Sequence, residues 1–157
     1  MYIYTLEKNG AEMLAAAFLP HGALYALKAL GVPYGTMNEL IDHMSLSGLR
    51  ALAPRDDAAI EPGSYRLLAP IPRPKQDVLC LGINYLDHAA ESARFSDAFA
   101  GERPAPIYFS KRVSEAAAPG EAIPSYPGLV DSLDYEVELA VILGKTIKDC
   151  PAEQVKD

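Results

Sequence analysis

Residues 134–143 read Asp-Tyr-Glu-Val-Glu-Leu-Ala-Val-Ile-Leu and end at Gly144. The run is rich in β-branched and other apolar residues and stops at a glycine, which predicts a strand. Side chains two apart share one face of a sheet. Tyr135, Val137, Leu139 and Val141 therefore make an apolar face, and Glu136 and Glu138 share the other with Ala140 and Ile142. Two carboxylates on one face repel each other, and an apolar setting adds a desolvation cost. A bound Mg²⁺, Mn²⁺ or Ca²⁺ removes both penalties, because hard cations favour carboxylate oxygens. The same spacing also suits a solvated polar face on an edge strand.

Upstream, Asp77-Val-Leu-Cys-Leu-Gly82 predicts a buried strand and Pro106-Ile-Tyr-Phe-Ser110 a second one. Residues 84–95 between them have short helical potential. On a helix His88 and Glu91, three apart, face the same way. A carboxylate that accepts a hydrogen bond from one imidazole nitrogen leaves the other free to take a proton from water. An exposed helix with an incidental His-Glu pair is the alternative. His21, in a Pro-His-Gly turn, and His43, flanking an apolar stripe, are read as structural or solvent-facing. Residues 149–157 are expected to start another helix.

Ahead of these segments, residues 1–18 predict a hairpin turning on Asn9-Gly10. Gly-Ala-Leu-Tyr-Ala-Leu-Lys-Ala-Leu, residues 22–30, predicts a helix stopped by Gly31. Thr36 and Glu39 form a capping box for a helix with Met37, Leu40, Ile41 and Met44 on one face. Residues 47–52 suggest a third short helix. A proline-punctuated stretch from Pro54 to Pro74, holding one candidate strand at residues 65–68, makes a natural domain boundary.

The whole chain is 157 residues long, 50% hydrophobic and 22% charged, an ordinary globular balance. Its net charge of −7 argues against nucleic acid as a partner, since an acidic chain repels phosphates. No apolar run is long enough for a membrane span. The opening Met-Tyr-Ile-Tyr-Thr-Leu-Glu-Lys lacks a basic stretch followed by an apolar core, so a cytoplasmic protein is expected. Cys80 and Cys150 lie too far apart in sequence for a redox pair and read as bystander thiols. Gly144-Lys145-Thr146 fails as a phosphate loop, because the glycine needed five positions earlier is Leu139.

Taken in order, three segments resemble the fumarylacetoacetate hydrolase family: Leu81-Gly-Ile-Asn-Tyr-Leu-Asp-His-Ala-Ala-Glu91, Pro106-Ile-Tyr-Phe-Ser-Lys111, and Asp134 to Lys145. The resemblance implies an α+β, β-rich protein. Residues 1–70 would be the small N-terminal domain that many members carry. Residues 71–157 would be the incomplete start of a catalytic domain, a mixed β-sheet roll or barrel. Glu136 and Glu138 match metal ligands of the family, His88 and Glu91 its catalytic dyad, and Lys111 a substrate-binding position. The implied cofactor is a divalent cation, Mg²⁺ first, with Mn²⁺ or Ca²⁺ as alternatives. The implied substrates are small 2-oxo acids. The implied reaction is hydrolysis of a C–C bond beside an enolisable ketone, by water activated through His88 and Glu91. Isomerisation of a 2-hydroxyhepta-2,4-diene-1,7-dioate and oxo-acid decarboxylation are alternatives on the same site.

The family's third ligand, an aspartate on a later strand, has no counterpart before Asp157; Asp131 and Asp134 do not occupy its position. The chain is therefore expected to be the N-terminal portion of an enzyme, with little activity alone. Its open sheet edge should pair with a C-terminal half or with a second copy as a homodimer. A catalytically inactive binding fragment is the remaining alternative.

Overall fold

A computed structural model describes residues 1–92 and 105–155. The chain divides into two units. One is Met1–Pro72 together with the chain from Ala117 onward, and the other is Arg73–Ala116.

The first unit is built on an antiparallel hairpin of β1 (Tyr2–Lys8) and β2 (Ala11–Ala17). Asn9 and Gly10 join them with φ of 54° and 74°. A type I′ turn needs positive φ at both positions, and Asn-Gly supplies it at the least steric cost. The ladder runs from Tyr2↔Ala17 to Lys8↔Ala11. The short strands β3 (Tyr25–Ala26) and β4 (Arg66–Leu67) extend it to a four-stranded sheet of order β3-β2-β1-β4.

Both faces of this sheet are covered. On one, Leu14 and Ala16 pack with Leu27, Val32, Met37 and Leu40. On the other, Leu6, Ala15 and Ala17 pack with Leu24 and Ile60. Alanine favours helices by intrinsic propensity. Here the hairpin and two apposed layers override it, and the small side chains of β2 let both layers come close. Thr5 is the one buried polar residue among those described, and its hydroxyl donates to the Pro70 carbonyl at 2.6 Å. Leu68 N–H donates to the Thr5 carbonyl at 2.9 Å, so the far edge is tied twice to β1.

Helix α1 (Met37–His43) follows its capping box. The Glu39 N–H donates to Thr36 Oγ1 at 3.3 Å, and Glu39 Oε2 accepts from the Thr36 N–H at 3.1 Å. Met37 and Leu40 then reach the core. Helix α2 (Leu46–Arg50) is capped by Ser45. The helix expected over residues 22–30 does not form. Tyr25 and Ala26 pair with Ala16 and Ala15 instead, and the Leu27 N–H donates to the Leu14 carbonyl at 3.0 Å. An open edge of β2 offers a full set of backbone partners, which outweighs local helix propensity. The chain then makes a single turn, closed by Gly31 at φ 90°.

From Ala117 the chain is mostly irregular. The strand expected over residues 134–143 does not form among the described residues, and Tyr135, Val137 and Leu139 are 82–85% exposed. The pattern marks a stretch suited to a buried sheet, but a strand exists only through its neighbours' hydrogen bonds. The helix expected from residue 149 appears as one 3₁₀ turn at Ala152–Gln154, with residues 156–157 outside the described residues.

The second unit is a ribbon of β5 (Val78–Gly82) and β6 (Ile107–Lys111), with helix α3 (Leu86–Ser92) after β5. The expected strands are present, paired from Val78↔Lys111 to Gly82↔Ile107. The expectation that the first is buried does not hold. Leu79 and Leu81 remain exposed, as do Tyr108 and Phe109. Two strands alone give each other an edge but no cover for a face.

Candidate functional site

The second unit positions three of the five candidate residues. β5 ends at Gly82, where a Cβ would stand 3.3 Å from the Ile107 side chain. Glycine therefore allows the close ribbon end from which the chain turns. Ile83 follows at φ 50°. That region is strained for a β-branched residue, and it reverses the chain just ahead of α3. His88 and Glu91 then fall within the single short helix Leu86–Ser92, three residues apart. His88 is exposed. The backbone thus supports the spacing read from the sequence. The last part of the helical stretch read from sequence, residues 93–95, lies outside the described residues.

Lys111 closes β6, with its Nζ 5.9 Å from the centroid of the Phe109 ring. Residues i and i+2 on a strand share a face, so Phe109 gives the ammonium a π surface. In the register, Lys111 pairs with Val78, at the opposite end of the ribbon from the Gly82 end that leads to α3. Four residues of strand separate the two ends, roughly 13 Å.

Glu136 and Glu138 belong to the first unit, in its irregular stretch, where both are exposed. Two carboxylates are the right donors for a hard cation, yet they fill only part of the six-oxygen shell that Mg²⁺ prefers. Among the described residues no group of three or more His, Cys, Asp or Glu side chains is gathered around a metal position. Nor is any helix among them long and apolar enough to cross a membrane. Cys80 and Cys150 are both free thiols.

The profile of the fumarylacetoacetate (FAA) hydrolase C-terminal domain matches residues 77–157. That is more than half of the chain, and it contains His88, Glu91, Lys111, Glu136 and Glu138. The chain belongs to the fumarylacetoacetate hydrolase family. Its described part is α+β and strand-rich, as expected.

Relatives divide into two kinds of match. The oxaloacetate tautomerase YisK of Bacillus subtilis is 40% identical over 81 residues, covering 52% of this chain and 26% of that protein. The mitochondrial oxaloacetate tautomerase FAHD2A of Homo sapiens is 38% identical over 85 residues, covering 54% of this chain and 24% of that protein. An uncharacterised protein of Staphylococcus saprophyticus is 26% identical over 153 residues, covering 94% of this chain and 46% of that protein. The chain thus spans under half the length of these relatives.

Proposed function

We propose that this chain contributes the His88, Glu91, Lys111, Glu136 and Glu138 side chains of an enzyme that acts on small 2-oxo acids, with keto–enol conversion of an oxaloacetate-like substrate as the favoured reaction. What supports this reading is the family match over residues 77–157, together with relatives named oxaloacetate tautomerases that are similar to this chain over 81 and 85 residues. The proposal includes residues 1–70 as the N-terminal domain and 71–157 as the first part of a catalytic roll or barrel. A cytoplasmic enzyme and a homodimer are part of the same reading.

In this reading His88 is the base. Its imidazole takes a proton from C3 of the keto acid, the electron pair becomes the C2–C3 double bond, and the C2 oxygen takes the negative charge. Returning a proton to that oxygen completes the enol with no net change in atoms or electrons. Glu91 orients the imidazole by accepting from its other N–H. Lys111 holds a substrate carboxylate by charge. Glu136 and Glu138 would hold a divalent cation, Mg²⁺ first, which when bound favours negative charge on a 2-oxo oxygen. The C–C hydrolysis and decarboxylation readings use the same residues. Hydrolysis differs in that His88 deprotonates a water aimed at the distal carbonyl instead of a substrate C–H.

The test follows ultraviolet absorbance of the enol of oxaloacetate as it converts to the ketone, in a purified protein carrying this chain, with Mg²⁺. Glu136→Ala should lose both Mg²⁺ affinity, read by titration calorimetry, and turnover. His88→Ala should keep Mg²⁺ affinity and lose on the order of 10²-fold or more in rate. Unchanged turnover in His88→Ala would remove the assigned base. Unchanged Mg²⁺ binding in Glu136→Ala would remove the metal site.

A further inference from the structure

Three charged side chains from distant parts of the sequence meet on the leading sheet. Glu7 on β1 lies opposite Arg66 on β4, and Glu12 lies opposite Glu7 on β2. Arg66 Nη2 donates to Glu7 Oε2 at 2.9 Å, and its Nη1 donates to Glu121 Oε1 at 2.9 Å. Glu121 arrives from the segment that opens at Ala117, 55 residues further along. Its second oxygen, Oε2, accepts from the Ala118 N–H at 3.0 Å, and the Glu121 N–H donates to the Ala118 carbonyl at 3.1 Å. Ala118 is only 7% exposed, in a segment where nearly every other residue is open to solvent.

One carboxylate thus closes a turn with one oxygen and meets a guanidinium with the other. The Ala118 N–H and then Arg66 hold the Glu121 carboxyl below its ordinary range. The planar guanidinium presents a different nitrogen to each of the two carboxylates in a fixed fork, a geometry that the compact ammonium of lysine does not supply.

We propose that Arg66 is the latch of a strap. With both charges present, Glu121 docks residues 117–121 on the leading sheet, and removing or screening either charge releases them. The strap leads on toward Glu136 and Glu138, so the latch sets where that stretch leaves the sheet. This inference stands independently of any metal at those residues.

Hydrogen exchange on the whole chain tests it, because Arg66→Ala alters neither partner of the two Ala118–Glu121 hydrogen bonds. The Ala118 and Glu121 amides should nevertheless exchange faster in Arg66→Ala, on the order of three- to tenfold, while β1–β2 hairpin amides keep their protection. Glu121→Gln, which keeps an oxygen for Ala118 but loses the charge, should act in the same direction. Salt of about 1 M, where the screening length is about 3 Å, should bring the wild type to the same rates. Strap amides unchanged in both variants, strap and hairpin amides accelerating together, or a wild-type strap indifferent to salt would each overturn the latch.

Discussion

β2 and residues 134–143 both carry the sequence of a strand, yet only one is a strand. Ala15, Ala16 and Ala17 are fully buried, whereas Val137, Leu139 and Val141 are 76–85% exposed. By side chain alone the order should be reversed, since valine and leucine gain far more from burial than alanine. The difference lies in partners. β2 has β1 on one edge, β3 on the other and an apolar layer on each face. Residues 134–143 join neither sheet and neither buried apolar cluster among the described residues. Apolar patterning states what a segment would gain by burial, while neighbours decide whether it gains it.

A pair of leucine truncations probes this difference most directly. Leu6 is fully buried between β1 and its covering layer, so Leu6→Ala should leave a cavity and cost about 2–5 kcal/mol of stability. Leu139 is 82% exposed, and Leu139→Ala should stay within about 0.5 kcal/mol. Urea unfolding followed by circular dichroism measures both. Equal losses would mean that residues 134–143 are packed in solution and that the contrast is false. The next effect is smaller and polar. Thr5→Val keeps the shape but leaves the Pro70 carbonyl without its donor, for about 1–3 kcal/mol in the same measurement. A neutral result would show that water satisfies that carbonyl, so the β4 edge is more open than its hydrogen bonds suggest.

The same contrast explains what could be read from the sequence. Asn9-Gly10, the Thr36–Glu39 capping box and the strands of residues 77–82 and 106–110 rest on local chemistry, and all appear. Residues 22–30 depart from their helical pattern because the deciding fact, an open edge on β2, lies in another segment. Arg66 carried no signal at all, since its carboxylates are 55 and 59 residues away. At the candidate site, the His88–Glu91 spacing was legible because one short helix fixes it. The Glu136–Glu138 face was not, because a shared face is a property of a paired sheet. Residue type and spacing suggested the roles of both pairs, resemblance to a family alone supplied that of Lys111, and the local backbone supports the spacing of only the His88–Glu91 pair.

The capping box of α1 carries a weaker, purely local effect. Glu39 Oε2 accepts from the Gly35 N–H at 2.9 Å and from the Thr36 N–H at 3.1 Å. These two backbone donors, Gly35 first, hold the Glu39 carboxyl below its ordinary range. A carboxylate whose folded value is depressed adds stability above its unfolded value, and loses it as pH falls through the folded one. The support for α1 should therefore be intact at neutral pH and fade below about pH 4.5, where the unfolded carboxyl begins to take up its proton. Glu39→Gln, neutral at every pH, should remove this component of the acid dependence. Thr36→Ala, which deletes the reciprocal acceptor, should cost about 0.5–2 kcal/mol at neutral pH. Amide exchange of Leu40, whose N–H donates to the Thr36 carbonyl at 3.1 Å, follows this helix directly between pH 3 and 7 once corrected for intrinsic rates. If the wild type and Glu39→Gln lose Leu40 protection along the same curve, the capping box is geometry without energetic consequence. The helix would then depend on Met37 and Leu40 in the core, as the rest of the leading unit does.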